Sequence, residues 1–442
     1  MFELSQNYLT RGFWGDEAWT SLISQLPYLQ MLKTTAADFH PPAYYSIVET
    51  VYKFLPPTEV VTRSISIIFY LLTIFLVYKL ASYVRDRLFG LLSALVVALN
   101  PILFTYAFEA RNYTMFASAA TGSIYFLVKL SQQFNKFNAL GFVIFSTLGI
   151  YTHYYMFFIL AAQGLYLLLF DRGIFWKVTG LYLIVAILYL PWLPFLAGQV
   201  KSVGGDYWIG AIDRQTHFEA ILRILGGEQQ NAVRPALFGL SALLILVGIA
   251  GHILRRHFEK PYLLIWLWAI VPFILATLPG LKIDHVKLPF RSIFFWRYLI
   301  GSAVPLSMVI VHSSEKLPKY LFAISTAAVI LLSISIDAMT IVRNPYTFRQ
   351  IYQNEILPKI SSEDKIVTVL PSFAEVTYYR NRFGLKNDLI VLPEGLVQFS
   401  GKSLLDAYVE NGQVLIDQAP EKDYFELRPG PSLIKVSSQS VK

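Results

Sequence analysis

Long apolar segments separated by short polar loops dominate the first 341 residues of the chain. A helix needs about 20 apolar residues to cross a bilayer, with roughly 17 as the short limit. Helix is the expected state, because a lipid-exposed backbone must satisfy its own hydrogen bonds. Ten segments are candidate spans: 64–84, 89–108, 114–130, 138–152, 155–170, 178–197, 235–254, 261–279, 298–312 and 319–341. The pattern predicts an all-α polytopic membrane protein with about ten transmembrane helices, of which 138–152 and 298–312 are short enough to be tilted or partly inserted.

The pattern changes after about residue 342, where short β-branched runs alternate with a helix-like segment in "EDKIVTVLPSFAEVTYYRNRFGLKNDLIVLPEG". This alternation predicts a small extramembrane α/β domain at 342–442. Residues 61–341 form the predicted transmembrane domain. Residues 1–60 form a predicted first loop with juxtamembrane helices, in which the segment 18–33 carries leucines at helical spacing and is expected to lie flat on the bilayer.

Composition supports the membrane class. The chain is 55% hydrophobic and 15% charged, whereas an average soluble domain carries roughly 25% charged residues. The formal net charge is +8, but the Lys and Arg residues are spread through the loops, so nucleic-acid binding is not predicted. Cysteine is absent, which excludes disulfides and thiolate metal sites.

Orientation follows from the loop charges. Positive residues recur in alternate loops, which the positive-inside rule places in the cytoplasm: Arg85 and Arg87, Lys136, Arg172 and Lys177, Arg255, Arg256 and Lys260, Lys316 and Lys319. Ten crossings then leave both termini and the C-terminal domain outside the cell membrane. Residues 1–20 show no signal peptide, although this topology requires residues 1–60 to cross the membrane without a preceding anchor. We therefore expect the sequence to lack a first transmembrane helix. An in-frame stop codon just upstream of Met1, with no apolar segment between, would refute this expectation.

The candidate chemical groups all fall on the predicted outer side, at the ends of spans or in loops that touch the membrane surface. They are Asp16 and Glu17 in "GFWGDEAWT", Asp38 and His40 in "ADFHPPAYY", Glu109, Arg111 and Tyr113 in "FEARNYTM", His153 in "YTHYY", and Arg297 and Tyr298 in "FFWRYLI". Taken singly, each has a structural interpretation, such as an acid at a helix N-terminus or a snorkelling arginine. Ionisable groups at such depth are costly, however, and their collection on one side favours a functional site.

These motifs, in this order, resemble the GT-C superfamily of membrane glycosyltransferases, in the bacterial branch related to protein O-mannosyltransferases and the lipid A aminoarabinose transferase. The resemblance runs from residue 12 to about 300, and the loop "GGDYWIGAID" at 204–213 is similar in kind. Two departures are the first transmembrane helix, which we expect this sequence to lack, and a C-terminal domain that does not inform function.

The resemblance implies an inverting transfer of a hexose or pentose from a polyprenyl-phosphate donor to a glycan, lipid or protein acceptor at the outer face. Asp16 is then the candidate general base for the acceptor hydroxyl. Arg111 and Arg297 are candidates to bind the donor phosphate, because arginine binds phosphate bidentately. His40 is a candidate for a further phosphate contact. Glu17 and Asp38 are candidates to hold a divalent ion (Mg²⁺, Mn²⁺ or Zn²⁺) or to orient other side chains, with Glu109, Tyr113, His153 and Tyr298 in support. No other cofactor is indicated.

Two other function classes remain open. A transporter or flippase of lipid-linked sugars would also need many helices and a polar cavity, and predicts broken helices near the midplane with internal symmetry. A non-catalytic scaffold in envelope assembly predicts that Asp16 is dispensable. Turnover of polyprenyl-phosphate sugars by wild-type protein and by the Asp16→Asn variant discriminates among the three.

Overall fold

The computed structural model describes residues 8–206, 209, 212–255, 260–280, 292–343, 345–394, 396 and 401–436. The chain divides into two compact units, one made of Met1–Ile65 with Arg343–Lys442 and the other of Ser66–Val342. The N-terminal segment, predicted as a region of its own, is thus grouped with the C-terminal residues in one unit. Much of the loop 204–213 lies outside the described residues.

The first unit begins with short helices before the first long apolar helix. The short helices are α1 Gly15–Ile23, α2 Tyr28–Ala37 and α3 Ala43–Tyr52. The long helix α4, Glu59–Val84, begins in the first unit and continues into the residues of the second. Proline precedes α2 and α3, since Pro27 and Pro42 are their N-cap residues. Proline cannot continue a preceding helix, and these residues therefore separate the three short helices.

The second unit is built from helices, and all of them except α12 carry predicted apolar segments. Their bounds are α5 Arg87–Ala98, α6 Pro101–Ala107, α7 Tyr113–Gln132, α8 Lys136–Thr152, α9 Met156–Phe170, α10 Arg172–Tyr189, α11 Leu193–Asp206, α12 Arg214–Gly226, α13 Arg234–Arg255, α14 Lys260–Thr277, α15 Ile300–Ser314 and α16 Lys319–Val342. Side-chain caps begin several of them. Asp86 accepts from the Phe89 amide at 2.9 Å at the start of α5, and Asn135 accepts from the Asn138 amide at 2.8 Å at the start of α8.

All ten predicted spans are helical, but fewer meet the requirements of a full crossing. Among the described residues, five helices are long and apolar enough: Glu59–Val84, Arg172–Lys201, Arg234–Gly251, Lys260–Gly280 and Lys319–Val342. The predicted span 89–108 is instead two helices, α5 and α6, bent by 63°. Asn100 caps α6, accepting from the amides of Ile102 and Leu103 at 3.2 and 3.3 Å, and Pro101 takes the first helical position, which ends α5.

Helix α7 occupies the interior of the second unit and is buried along most of its length. Its small residues permit close packing, since a Cβ at Gly122 would lie 2.3 Å from the ring of Phe145 on α8. Small side chains are the usual means of close helix approach in membranes. Because α7 packs on protein, it needs less hydrophobicity than a lipid-facing span.

The C-terminal residues form the predicted α/β fold. Helix α17 (Phe348–Ile351) runs into a π-helical turn, Tyr352–Ile356, and is followed by α18 (Leu370–Arg382) and α19 (Lys402–Glu410). The strands are β1 Lys365–Thr368, β2 Leu389–Val391, β3 Leu415–Ile416, β4 Tyr424–Arg428 and β5 Ser432–Val436. They form one sheet in the order β3-β2-β1-β4-β5, in which the β4–β5 pair is antiparallel and the other pairs are parallel.

Candidate functional site

The acidic doublet lies in the first turn of α1, where its two side chains have different environments. Glu17 is fully buried and pairs with Arg63, which is also fully buried. Nε of Arg63 donates to Oε1 of Glu17 at 2.7 Å, and Nη2 donates to Oε2 at 2.6 Å. Asp16 lies outside this bidentate pair and is half-buried. One acid is therefore held in the interior, while its neighbour keeps contact with solvent.

Arg63 also holds the backbone that leads into the doublet. Nη1 donates to the carbonyl oxygens of Leu9 at 2.7 Å and Arg11 at 2.6 Å, and Nη2 donates to that of Gly12 at 3.2 Å. With the two bonds to Glu17, these contacts use all five N–H donors of a guanidinium. Arg63 therefore acts as the internal anchor of residues 12–17, which we call the acidic turn.

Helix α18 contacts the acidic turn from the C-terminal part of the same unit. The amide of Phe13 donates to the Tyr379 hydroxyl at 2.6 Å, and that hydroxyl donates to Oε1 of Glu59 at 3.1 Å. Gly12 lies so near Thr347 that a Cβ would sit 2.1 Å from its Oγ1. The turn is thus fixed by residues more than 300 positions away in sequence.

Glu375 on α18 faces the start of α1. A Cβ at Gly15 would lie 3.5 Å from Oε1 of Glu375 and 3.7 Å from Oε2. Burial, with a smaller contribution from the Asp16 charge, raises the pKa of the Glu375 carboxyl to about 8. At neutral pH this group is mainly a neutral carboxylic acid.

Asp38 and His40 form a second pair in the first unit, between α2 and α3. Nδ1 of His40 lies 3.2 Å from Oδ2 of Asp38, which is buried. The His40 ring also packs near Trp19 of α1, with centroids 5.8 Å apart. Trp19 therefore connects the helix that carries the acidic doublet with the histidine loop.

In the second unit, Glu109 and Arg111 lie in the turn between α6 and α7, and both are buried. The Ser66 hydroxyl donates to the Arg111 carbonyl at 3.1 Å, and the Asn112 side chain donates to the Thr152 carbonyl at 2.7 Å. These bonds tie the turn to α4 and to the end of α8. The Arg111 guanidinium lies 6.0 Å from the Tyr113 ring centroid.

His153 follows α8 and is enclosed by aromatic rings. It stacks on Phe116 at 4.8 Å, and its centroid lies 5.1 Å from Tyr298 and 6.3 Å from Tyr113. The amide of Tyr155 donates to Nδ1 of His153 at 3.2 Å. A neutral His153 therefore carries its proton on Nε2.

Arg297 directly precedes Tyr298, one of the rings that enclose His153. Its guanidinium is 5.2 Å from the Trp296 centroid and 5.4 Å from that of Phe295. Tyr106 packs near the rings that adjoin both arginines. Its ring centroid lies 4.6 Å from that of Tyr113 and 6.2 Å from that of Trp296. The structure thus brings together the predicted residues of the second unit, and we call this set the arginine–aromatic cluster: Tyr106, Glu109, Arg111, Tyr113, His153, Trp296, Arg297 and Tyr298.

The carboxylates named as metal ligands have other partners here, since Glu17 binds Arg63 and Asp38 binds His40. Within the part of the chain that the structure describes, no three His, Asp or Glu side chains come together as a metal site. Glu17 and Asp38, held by these partners, therefore do not form a metal-ligand set with a third side chain among the described residues.

Several site residues are not among the sequence candidates. Arg63 had one signal, because it interrupts the apolar run "EVVTRSISIIFY" just where the predicted span begins. Glu375 and Tyr379 had none, since they lie in an ordinary amphipathic helix of the C-terminal domain. Tyr106 and Trp296 resemble interface aromatics until their ring contacts are known.

Comparison with known families gives one match. The family model described as dolichyl-phosphate-mannose-protein mannosyltransferase matches residues 39–197. The matched segment includes His40, Arg111 and His153, and leaves out Asp16 and Arg297. A search of curated proteins gives no match.

Solved structures resemble the fold over most of the chain. ArnT from Cupriavidus metallidurans in the apo state is 14% identical with a TM-score of 0.62, covering 93% of this chain and 86% of that one. The same protein bound to undecaprenyl phosphate is 13% identical with a TM-score of 0.61 and the same coverage. An Archaeoglobus fulgidus oligosaccharyltransferase in complex with zinc and sulfate is 15% identical with a TM-score of 0.53, covering 85% of this chain and 59% of that one. The predicted fold class and the resemblance to GT-C glycosyltransferases are confirmed.

Proposed function

We propose that this protein is an inverting membrane glycosyltransferase that moves a sugar from a polyprenyl-phosphate donor to an acceptor hydroxyl, with Asp16 as the general base. The observation that carries the proposal is that the two acids of the doublet have different environments. Glu17 spends both oxygens on the buried Arg63, whereas Asp16 lies half-buried one residue earlier on an anchored turn. A base needs such a fixed backbone together with access to its substrate.

The proposed transfer is written with three participants: the acceptor hydroxyl, the donor and the Asp16 carboxylate. Asp16 takes the proton of the acceptor hydroxyl as that oxygen bonds to the anomeric carbon of the sugar. The bond from this carbon to the phosphate oxygen breaks, and polyprenyl phosphate leaves with the bonding electrons. Attack opposite the leaving group inverts the anomeric centre, and the proton remains on Asp16 until solvent accepts it.

The leaving phosphate gains negative charge, which Arg111 and Arg297 are proposed to meet, with His40 as a further contact. A guanidinium stays charged at all relevant pH values and binds phosphate bidentately. Packing on aromatic faces, as for Arg297 on Trp296, orients the planar group without using its in-plane donors. The undecaprenyl phosphate bound to ArnT supports a lipid phosphate as the donor carrier.

The location at the outer face of the cell membrane is part of the proposal and rests on the positive-inside rule. There the prenyl tail of a donor lies in lipid while its sugar-phosphate is in water. The acceptor is assigned only as a hydroxyl group on a glycan, a lipid or a protein.

The doublet itself supplies a matched test. Membranes with wild-type, Asp16→Asn or Glu17→Gln protein are incubated with a panel of undecaprenyl-phosphate sugars, and glycosylated product is measured beside the Tm of the purified protein. We expect Asp16→Asn to lose about 10²–10⁴-fold in turnover with little change in Tm. Glu17→Gln should instead lower Tm strongly, because it leaves the Arg63 charge buried without a counter-charge.

Wild-type turnover by Asp16→Asn would eliminate Asp16 as the base. Folded wild-type protein that turns over no donor would favour the transporter or scaffold classes. Equal Tm losses for the two variants would contradict the different environments of the two acids.

A further inference from the structure

The N-terminus of α1 has no cap from its own chain segment. Trp14 occupies the N-cap position and makes no side-chain capping bond. The first amides of a helix otherwise lack partners, and a side-chain oxygen usually accepts from them. The Glu375 carboxyl takes this place from α18, with its oxygens 3.5 and 3.7 Å from where a Gly15 Cβ would lie. The Gly15 amide stabilises the charged form of this carboxyl.

The Glu375 side chain is held where it is by the packing of α18 on α1. One helical turn further along α18, the Tyr379 hydroxyl accepts from the Phe13 amide at 2.6 Å, and the rings of Tyr378 and Phe13 lie 4.8 Å apart. Oε2 of Glu375 is buried and has no hydrogen-bond partner among the described residues. The Glu375 carboxyl group therefore lies between α18 and the acidic turn.

Asp16 is the charged group that acts on Glu375 from α1. Most other charged groups on α18 and on the elements packed against it pair elsewhere or are exposed: Glu17 with Arg63, Arg349 with the Thr10 carbonyl, Arg380 with the Gln413 carbonyl, Glu426 with Arg428, and exposed Arg382, Lys402, Asp406 and Glu410. Lys365, at the start of β1, is half-buried. Two carboxyl groups at one place resist simultaneous ionisation. Burial and, to a smaller extent, the Asp16 charge therefore raise the pKa of the Glu375 carboxyl and favour its neutral form.

We propose that Glu375 is a positioning residue for Asp16: it caps α1 from the C-terminal domain and so holds the first turn of the helix that carries the Asp16 carboxylate. This inference rests on the proposed role of Asp16 as the base. It assigns the C-terminal domain a part in the reaction, through α18, without contact to donor or acceptor.

The full-length protein tests the inference with three variants. Glu375→Gln keeps an accepting oxygen at Gly15 but cannot ionise, Glu375→Leu removes the cap, and Glu410→Gln makes the same acid-to-amide change at an exposed site on α19. Turnover of undecaprenyl-phosphate sugars is measured from about pH 6 to about pH 9.5, on both sides of the Glu375 titration.

At about pH 6 we expect Glu375→Leu to lower kcat about 10²-fold, because displacement of a base by an ångström is this costly. Glu375→Gln should stay within about threefold of wild type there, and the KM for the donor should change in neither variant. Above about pH 8 the wild-type kcat should fall as ionised Glu375 repels Asp16, while Glu375→Gln keeps its rate. Glu410→Gln should follow the wild type at every pH.

Superimposable pH profiles for wild type and Glu375→Gln would overturn the inference, and so would an unchanged kcat in Glu375→Leu. If the Leu variant does not fold, the Gln profile alone decides. The Tm loss from Glu375→Leu is also measured in the Asp16→Asn background, where no turnover is required. An active Asp16→Asn protein defeats the proposed function, whereas a Tm unaffected by Glu375→Leu in both backgrounds defeats the cap.

Discussion

The acidic turn of the first unit and the arginine–aromatic cluster of the second both bury charged groups, but they stabilise them differently. In the acidic turn, Arg63 meets one carboxylate and three backbone carbonyls, which use every donor it has. In the cluster, Arg297 lies against the faces of Trp296 and Phe295. A guanidinium whose donors are all used by its own chain serves structure, whereas packing on aromatic faces orients the plane in which a guanidinium binds a phosphate.

The largest expected effect is on the arginine whose donors are all used. Arg63→Met should lower the free energy of unfolding by about 3–5 kcal/mol, because it leaves Glu17 buried without its counter-charge. The double variant Arg63→Met with Glu17→Leu should recover part of this loss. Denaturant unfolding measures both. Arg85→Met is the control, since Arg85 pairs with Glu315 at an exposed position and should cost at most about 1 kcal/mol. Equal losses at the two arginines would break the comparison.

Arg297 should show the opposite profile, with a loss of turnover rather than of stability. Arg297→Ala should lower kcat about 10²–10³-fold, the usual cost of one donor to a developing oxyanion. Arg223→Ala is a matched control, because Arg223 also lies over Trp296, at 4.6 Å, but donates to Glu219 at 2.7 Å. Steady-state kinetics on both variants decide, and an equal loss in Arg223→Ala would assign the effect to Trp296 packing.

His153 sharpens the same comparison with a smaller effect. His153→Phe preserves the stacking on Phe116 but removes the ring nitrogens, so we expect kcat to fall about tenfold and Tm to stay near the wild-type value. His153→Ala should lower Tm as well, because it empties the space between the rings. A wild-type kcat in His153→Phe would restrict this residue to packing.

The acidic turn should also show a pH dependence of stability. Burial raises the pKa of Glu375 from its ordinary 4.5 to about 8, so the folded protein binds a proton that the unfolded chain has released. The free energy of unfolding then falls as pH rises between these two values. The Tm of wild type should therefore decline relative to that of Glu375→Gln across this window. Parallel Tm curves would show that Glu375 ionises normally.

The amino-acid sequence by itself determined the helical membrane class and the C-terminal α/β domain, and it indicated the acidic doublet and the members of the cluster other than Tyr106 and Trp296 as candidates. These follow from local properties, namely apolar segment length, β-branched alternation and charges at span ends. The number of full crossings was less accessible, because the break at Asn100 and Pro101 divides a continuous apolar run into two helices.

Only the tertiary structure decided which acid of the doublet is fully buried against Arg63 and which is half-buried, since Asp16 and Glu17 are chemically alike and adjacent. That choice depends on Arg63, 46 residues from Glu17, and on Glu375 and Tyr379 at the far end of the chain. Local periodicity in the sequence does not predict partners that are so distant along the chain. A charge is costly to bury unless an opposite charge or a hydrogen-bond donor offsets it. Which group supplies that contact depends on the residues that folding brings close together.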